Sequence, residues 1–363
     1  MTTFFLHFNS GALLIQCFLS VFNIYIGYKI LQLIFTGKAS FVRYVFLFLL
    51  FPTQFIYAVT YMSEIPFQTA LLLSIFYLFR FEKSGDYKTL YLSHLFLALT
   101  YLFKPITLFL WLGLILYTIT IKSDHRGSKH LTLLGLGHFL LLGFFFLNNF
   151  ALTGIAEYTS IGRKVIINYN IPAVLTRAYG EEVAQHKMDS VQNGMTGMPY
   201  VMQCVYTDNF IRNTLLTRPL DFSLTHALGV PRFFLESGRW DLELWFNGKD
   251  HAGTLPSLKE AFEEKGIRGL ATLLRTWPVL YSIYYFLVIA GTIFIFLFFI
   301  KGIFSPLIQR RHRFLLLFII FYFVVLTGPS ASSRFRLPVF PFIAVLAMAG
   351  WPVGKKDAVA ELK

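Results

Sequence analysis

Charge is scarce in this chain. Only 14% of its 363 residues are charged, against roughly 25% in an average soluble domain. That is too little to cover a water-soluble globule, so a soluble enzyme is excluded. Cysteine is scarcer still. The two present, Cys17 in an apolar stretch and Cys204 in a polar one, exclude a disulfide framework and each reads as a small buried hydrophobe. No Walker A or dinucleotide glycine pattern occurs, which leaves a soluble nucleotide donor without support. The nine histidines show no metal spacing such as H-E-x-x-H, and no Cys/His cluster exists. No metal and no other cofactor is therefore expected. There is no internal repeat.

What the chain has in abundance is apolar. Its hydrophobic fraction is 56% with 42 phenylalanines, and its mean hydropathy is +0.60. Disorder needs low hydrophobicity, so a polytopic membrane protein remains. The net charge of +13 would suit nucleic acid only if it formed one basic domain. It is instead broken into small clusters between apolar runs, as membrane topology requires, and no nucleic acid partner is expected.

The apolar runs cover 11–36, 41–61, 65–81, 88–103, 105–121, 130–150, 279–300, 314–328 and 337–352. A span needs about 20 residues. The fourth and fifth runs meet at Phe103-Lys104-Pro105, where proline removes a backbone donor and predicts a break. The fold class expected is an all-α polytopic membrane protein of about nine transmembrane helices with one large α-rich extracytoplasmic insertion.

Every second connection is basic. Lys38 and Arg43, then Arg80, Lys83 and Lys88, then Lys122, Arg126 and Lys129, then Lys301, Arg310, Arg311 and Arg313, and the tail Lys355, Lys356 and Lys363 alternate with the connections at Met62–Glu64, at Lys104, over 151–278 and at Gly328–Arg336. The positive-inside rule places all of these in the cytoplasm. The expected domains are an N-terminal bundle, 1–150, an extracytoplasmic domain, 151–278, and a C-terminal bundle with a short cytoplasmic tail, 279–363. The outer segment balances 13 basic against 13 acidic residues. It carries turn signals at Thr153-Gly154, Ser237-Gly238 and Asn247-Gly248. Ser257-Leu258-Lys259-Glu260 has capping-box spacing and predicts a helix to about Trp277. By this alternation the N-terminus lies outside. A multi-pass protein of the bacterial inner membrane is the expected localisation.

Four charges stand in short outer connections: Glu64, Lys104, Arg334 and Arg336. Such groups are costly near a membrane unless paired, solvated or used, and the simplest alternative is a snorkelling anchor. Three cations and one carboxylate suit a phosphate-bearing lipid, because Arg holds phosphate with two parallel bonds and Lys adds a compact charge. Glu157, Asp208, Asp221, Glu236, Asp241 and Glu243 in the outer segment read as solvated acids. His138 reads as a packed core histidine. Tyr61, Tyr101, Trp277 and Trp351, near span ends, read as interfacial belt residues.

The words around the four charges are Ser63-Glu64-Ile65-Pro66-Phe67, Leu99-Thr100-Tyr101-Leu102-Phe103-Lys104-Pro105, Asn148-Asn149-Phe150 with Thr153-Gly154, and Ser333-Arg334-Phe335-Arg336-Leu337-Pro338-Val339-Phe340-Pro341. This series resembles the GT-C superfamily of integral membrane glycosyltransferases. The likeness is to the bacterial branch related to dolichyl-phosphate-mannose–protein mannosyltransferases and aminoarabinose transferases, and it runs from about residue 11 to about 352. The resemblance implies a polyprenyl-phosphate-linked sugar donor, a lipid, glycan or protein acceptor, and transfer with inversion at the outer face. It implies Lys104, Arg334 and Arg336 as lipid-phosphate ligands. The family's catalytic acid lies in a first outer loop that has no counterpart here, so span one matches the family's second helix, and two expectations stay open: an N-terminally truncated form, or a chain that naturally lacks that loop. Glu64 matches the family's Glu after Ser, and is expected to be a helper or the base. The alternatives are a catalytically inactive lipid-binding homologue or subunit, an O-antigen ligase or polymerase, and a transporter. A transporter would show repeats and midplane charges, which are not seen in the sequence.

Overall fold

The computed structural model describes residues 2–121, 125–238, 265–269, 272, 273, 275, 277 and 279–352. Lys122, Asp241, Glu243, the Asn247-Gly248 turn, the capping box at 257–260 and the lysines of the tail lie outside the described residues. In chain order the helices are α1 (Thr2–Ile34), α2 (Phe41–Leu49), α3 (Thr53–Ala58), α4 (Glu64–Ser84), α5 (Tyr87–Phe103), α6 (Leu110–Ile121) and α7 (His125–Thr153). They continue as α8 (Ile161–Val165), α9 (Ile171–Tyr179), α10 (Glu181–Met195), α11 (Tyr200–Thr217) and α12 (Pro219–Leu235). The last four are α13 (Val279–Ile303), α14 (Arg310–Thr327), α15 (Ser333–Arg336) and α16 (Phe340–Gly350). The protein is all-α: the described residues form no strand ladder, only one isolated bridge between Phe35 and Ile308. Among the described residues, five helical stretches are long and apolar enough to cross a membrane: Ser10–Ile34, Ser128–Thr153, Tyr281–Ile303, Arg310–Ser330 and Ser333–Gly350.

Proline sets the breaks. The run 41–61 is two short helices rather than one continuous helix, because Pro52 has no N–H to continue the ladder of α2. Phe51 N–H closes that helix on Phe48 O at 2.9 Å, and Pro52 O then accepts from Phe55 at 2.9 Å to start α3. At about 1.5 Å per residue, the nine residues of α2 are too short to cross a bilayer core alone. The expected break at Pro105 is present. Lys104 is extended, with φ −151° and ψ 127°, and a 3₁₀ turn over Pro105–Thr107 leads toward α6.

The chain forms two compact units. The first comprises residues 1–69, 234–314 and 332–363. Its core is α16, whose residues from Phe340 to Ala349 are all buried. Phe340 stacks on Phe51 with ring centroids 3.9 Å apart, and Trp351 stacks on Phe298 at 5.2 Å. A smaller cluster gathers Ile56, Leu273, Trp277, Tyr281, Tyr285 and Val288. Trp277 is 3% exposed, so it packs inside this unit. Helices α13 and α16 touch backbone to backbone: a Cβ on Gly302 would stand 1.8 Å from Leu346 O, and one on Gly350 2.0 Å from Phe298 O. Small residues allow this approach, which drives helix association in a bilayer. Gly302→Ala is therefore expected to force the two helices apart and to destabilise by about 1–3 kcal/mol or more. Thermal unfolding in detergent would check this, with Gly137→Ala, where a Cβ meets nothing within 4 Å, as the comparison.

The second unit comprises residues 70–233 and 315–331. Here α7 ends on Thr153, and Gly154 takes φ +76°, the left-handed position at which glycine stops helices. Asn149 fixes the following turn, its Nδ2 donating to Glu157 O at 2.8 Å and Tyr158 O at 2.7 Å. Beyond it Ile167, Ile171, Leu175, Ala184, Met188 and Ile211 form a local core. Gly180, at φ +85°, turns the chain between α9 and α10.

Candidate functional site

Glu64, Arg334 and Arg336 all belong to the first unit. Glu64 is the first residue of α4, where the helix dipole favours a carboxylate, and its side chain is 0% exposed. Its Oε1 accepts a hydrogen bond from Nε of Arg334, whose side chain is 40% exposed. The Arg334 guanidinium also lies over the Tyr57 ring, 5.9 Å from its centroid. Its two terminal nitrogens donate to no other described residue. Arg334 thus presents an open planar fork, held from behind by a buried carboxylate.

Arg336 is used differently. It is 4% exposed, and its Nη1 and Nη2 donate to the backbone oxygens of Phe234 and, at 2.8 Å, Glu236. Its guanidinium lies 5.0 Å over the Phe51 ring. Glu236 returns the contact, with Oε2 accepting from Ser333 N–H at 2.6 Å and Oε1 from Gly238 N–H at 2.7 Å. Two segments far apart in sequence, 234–238 and 333–336, are latched together, and Arg334 lies within the latch. Sequence reasoning set Glu236 aside as a solvated acid. The available signal was its place before Ser237-Gly238, a turn whose amides need an acceptor.

Beneath this cluster is an amide network that sequence reasoning also missed. Asn23 Nδ2 donates to Ile65 O at 3.2 Å and to Gln68 Oε1 at 2.8 Å. Gln54 Nε2 donates to Ser20 Oγ at 2.9 Å and to Gln68 Oε1 at 3.0 Å. Gln68 Nε2 donates to Gln54 Oε1 at 3.0 Å and to Leu337 O at 2.7 Å. Asn23, Gln54 and Gln68 are each 0% exposed. Buried amides in an apolar bundle must be satisfied, and these tie α1, α3 and α4 to the turn that follows Arg336. The signal was three amides inside apolar runs.

Lys104 belongs to the second unit. It is the C-cap of α5, with its N–H on Thr100 O. Thr107 closes the turn, with its Oγ1 2.7 Å from Thr100 Oγ1. Tyr101, read as a belt residue, is 1% exposed and bonds His138 at 3.0 Å.

The second unit also holds a groove of about 600 Å³ with an apolar floor that includes Ile211 and Leu215 and charged walls at Arg163, Asp208 and Arg212. Arg163 bridges Glu157 at 2.8 Å and Asp208 at 2.7 Å, so two acids read as solvated are paired. Asp221 lies 3.6 Å from Arg177. The bond to Asp208 raises the Arg163 guanidinium above its ordinary range. Tyr200 donates to Glu157 at 2.7 Å, and this bond pushes the phenol up to about 12. A phenol raised on folding contributes stability that is complete below its unfolded value of about 10 and is lost as pH rises through about 12. The wild type is expected to lose more stability over that interval than Tyr200→Phe, as thermal unfolding against pH would show.

No family model, curated protein or solved structure matches this chain. The functional reading therefore rests on the residues themselves.

Proposed function

We propose that this protein is a membrane glycosyltransferase that takes its sugar from a polyprenyl-phosphate donor at the outer face of the membrane. The observation that carries the reading is the half-exposed, open guanidinium of Arg334 backed by the buried carboxylate of Glu64. A cation fixed in place before the reaction is the group needed to stabilise a departing phosphate. In the proposed step the acceptor hydroxyl oxygen bonds to the anomeric carbon as the bond from that carbon to the lipid phosphate oxygen breaks. The electron pair leaves on the phosphate, facing Arg334, and the hydroxyl proton passes to a base. Glu64 is the helper in this scheme, since its Oε1 is engaged by Arg334 and its side chain is fully buried. Arg336 and Glu236 position Arg334 through their latch. Lys104 enters on its Lys-Pro motif alone.

The same burial of Glu64 favours a second reading, a lipid-binding subunit that holds the donor without transferring sugar. One experiment tests both. Membranes containing the full chain are given radiolabelled polyprenyl-phosphate sugars. Label retained by the protein and transferred to an acceptor supports the enzyme. Label retained but never transferred supports the subunit. No retention that depends on Arg334 removes both.

The proposed topology counts about nine spans: α1, α2 with α3, α4, α5, α6, α7, α13, α14, and α15 with α16. It places residues 151–278 outside and the C-terminus in the cytoplasm of a bacterial inner membrane, on the alternation of basic clusters. Ser84 and Ser190 are both exposed. An impermeant thiol reagent added from outside is expected to label Ser190→Cys and spare Ser84→Cys, and the reverse pattern would overturn the orientation.

A further inference from the structure

One helix of the second unit turns an apolar face outward. On α12, Leu220, Leu224, Ala227, Leu228 and Pro231 are all exposed. They fall at i, i+4, i+7, i+8 and i+11, the spacing of a single helical face. Leu220 is 69% exposed and Leu228 62%. No charged residue interrupts the face. Asp221, the one acid of the helix, is paired with Arg177 of α9 at 3.6 Å. Arg232 lies at the edge of the face and donates to Pro329 O at 3.5 Å.

The opposite side of α12 sets its place. Gly229 crosses the 3₁₀ turn Gly328–Ser330 that follows α14. A Cβ on Gly229 would stand 2.2 Å from Gly328 O, so the two backbones are in contact. The His226 ring lies against Gly328 on the same side and packs on the Phe222 ring, with centroids 4.0 Å apart.

The stretch Arg310–Ser330 is long and apolar enough to cross a membrane. Its end marks the level of a bilayer surface, and α12 is pinned at that end. The last turns of α14 leave Phe321, Val325 and Leu326 exposed, which suits acyl chains and not water. Leu326 is only two residues from the contact with Gly229. A contiguous apolar strip over three helical turns is rarely left in water. The strip also offers no polar group to fix a protein partner in register, as protein interfaces require, whereas acyl chains need none.

We propose that α12 lies in the membrane surface, with its face from Leu220 to Pro231 sunk among the acyl chains of the leaflet at that end of α14. Helices of this kind bury their apolar side about 5–10 Å into the boundary between headgroups and chains. Part of the segment 151–278 is then held on the bilayer rather than standing clear of it. The proposal rests on α14 crossing the membrane and not on the sugar transfer proposed above.

The test is photocrosslinking of the full chain in vesicles of phosphatidylethanolamine and phosphatidylglycerol. Leu224→p-benzoylphenylalanine and Leu228→p-benzoylphenylalanine are made separately, so that either can report should the other fail to fold. The same substitution at Leu140, exposed on α7 within the apolar stretch Ser128–Thr153, gives the reference for lipid. That at Ser190, exposed on α10, gives the reference for water. The expected result is a chain carrying the added mass of one phospholipid at Leu224, Leu228 and Leu140, and none at Ser190. Lipid at Leu140 but not at Leu224 or Leu228 would put the strip in water and overturn the proposal. A chain-to-chain adduct at Leu224 or Leu228 would show that a second copy covers the strip, and would overturn it equally. So would lipid adducts of equal yield at Ser190. Absence of lipid at Leu140 as well would strike the membrane reading itself, and this proposal with it.

Discussion

Arg334→Ala is expected to weaken binding of a polyprenyl phosphate about ten- to a hundredfold, since a charged hydrogen bond contributes roughly 1.5–3 kcal/mol. Arg334→Lys should fall between, because it keeps the charge and loses the planar fork. The alanine change has a second consequence. It leaves the fully buried carboxylate of Glu64 without its guanidinium partner. Breaking a buried pair costs about 3–5 kcal/mol. With Arg334 40% exposed, the lower end of that interval applies. The two effects separate in Glu64→Gln/Arg334→Ala, where the buried charge is removed together with its Arg334 partner: stability should largely return while phosphate affinity stays low. Binding of a fluorescent polyprenyl phosphate alongside thermal unfolding would show it. Unchanged affinity in both alanine-bearing variants, with normal membrane insertion, would remove the phosphate assignment.

Arg336→Ala should destabilise more. The guanidinium is 4% exposed and holds the backbone oxygens of Phe234 and Glu236. Its loss removes two charged hydrogen bonds and leaves two carbonyl groups to find other donors, a cost of about 3–5 kcal/mol. Arg336→Lys keeps one charge at a single point and cannot serve both carbonyls at once, so it should recover only part of the loss. Glu236→Ala should act in the same direction and be less severe, because the Ser333 amide it releases can turn to water more easily than a buried charge can. If the latch is the cause, Arg336→Ala and Glu236→Ala are non-additive in a double-mutant cycle. Full additivity would show that the two residues act on stability separately.

The charges of the candidate site were legible in the sequence, but how Arg334 and Arg336 differ was not. Arg334 and Arg336 stand two residues apart in the same motif and carry the same charge, so nothing in their chemistry separates them. Their different roles come from direction. Over the short turn of α15 one guanidinium emerges toward the Glu64 carboxylate and open space, and the other turns into the unit against chain from 234–236. Glu236 could not be joined to Ser333 from the sequence, because almost a hundred residues separate them. Only the fold brings the segments together.

The sequence by itself determined the all-α membrane character, because scarce charge and long apolar runs leave no other solvent for this chain. It also determined the helix break at Pro105 and the turn at Gly154, since these follow from a missing donor or a backbone angle and need no distant partner, whereas the break at Pro52 lay inside a run read as one span. Tertiary structure alone decided which polar groups inside apolar runs would meet: Gln54 with Gln68 and Asn23, and His138 with Tyr101. Periodicity gives the face of a helix. It does not give the neighbour that the face will find, and a buried amide or imidazole takes its meaning from that neighbour.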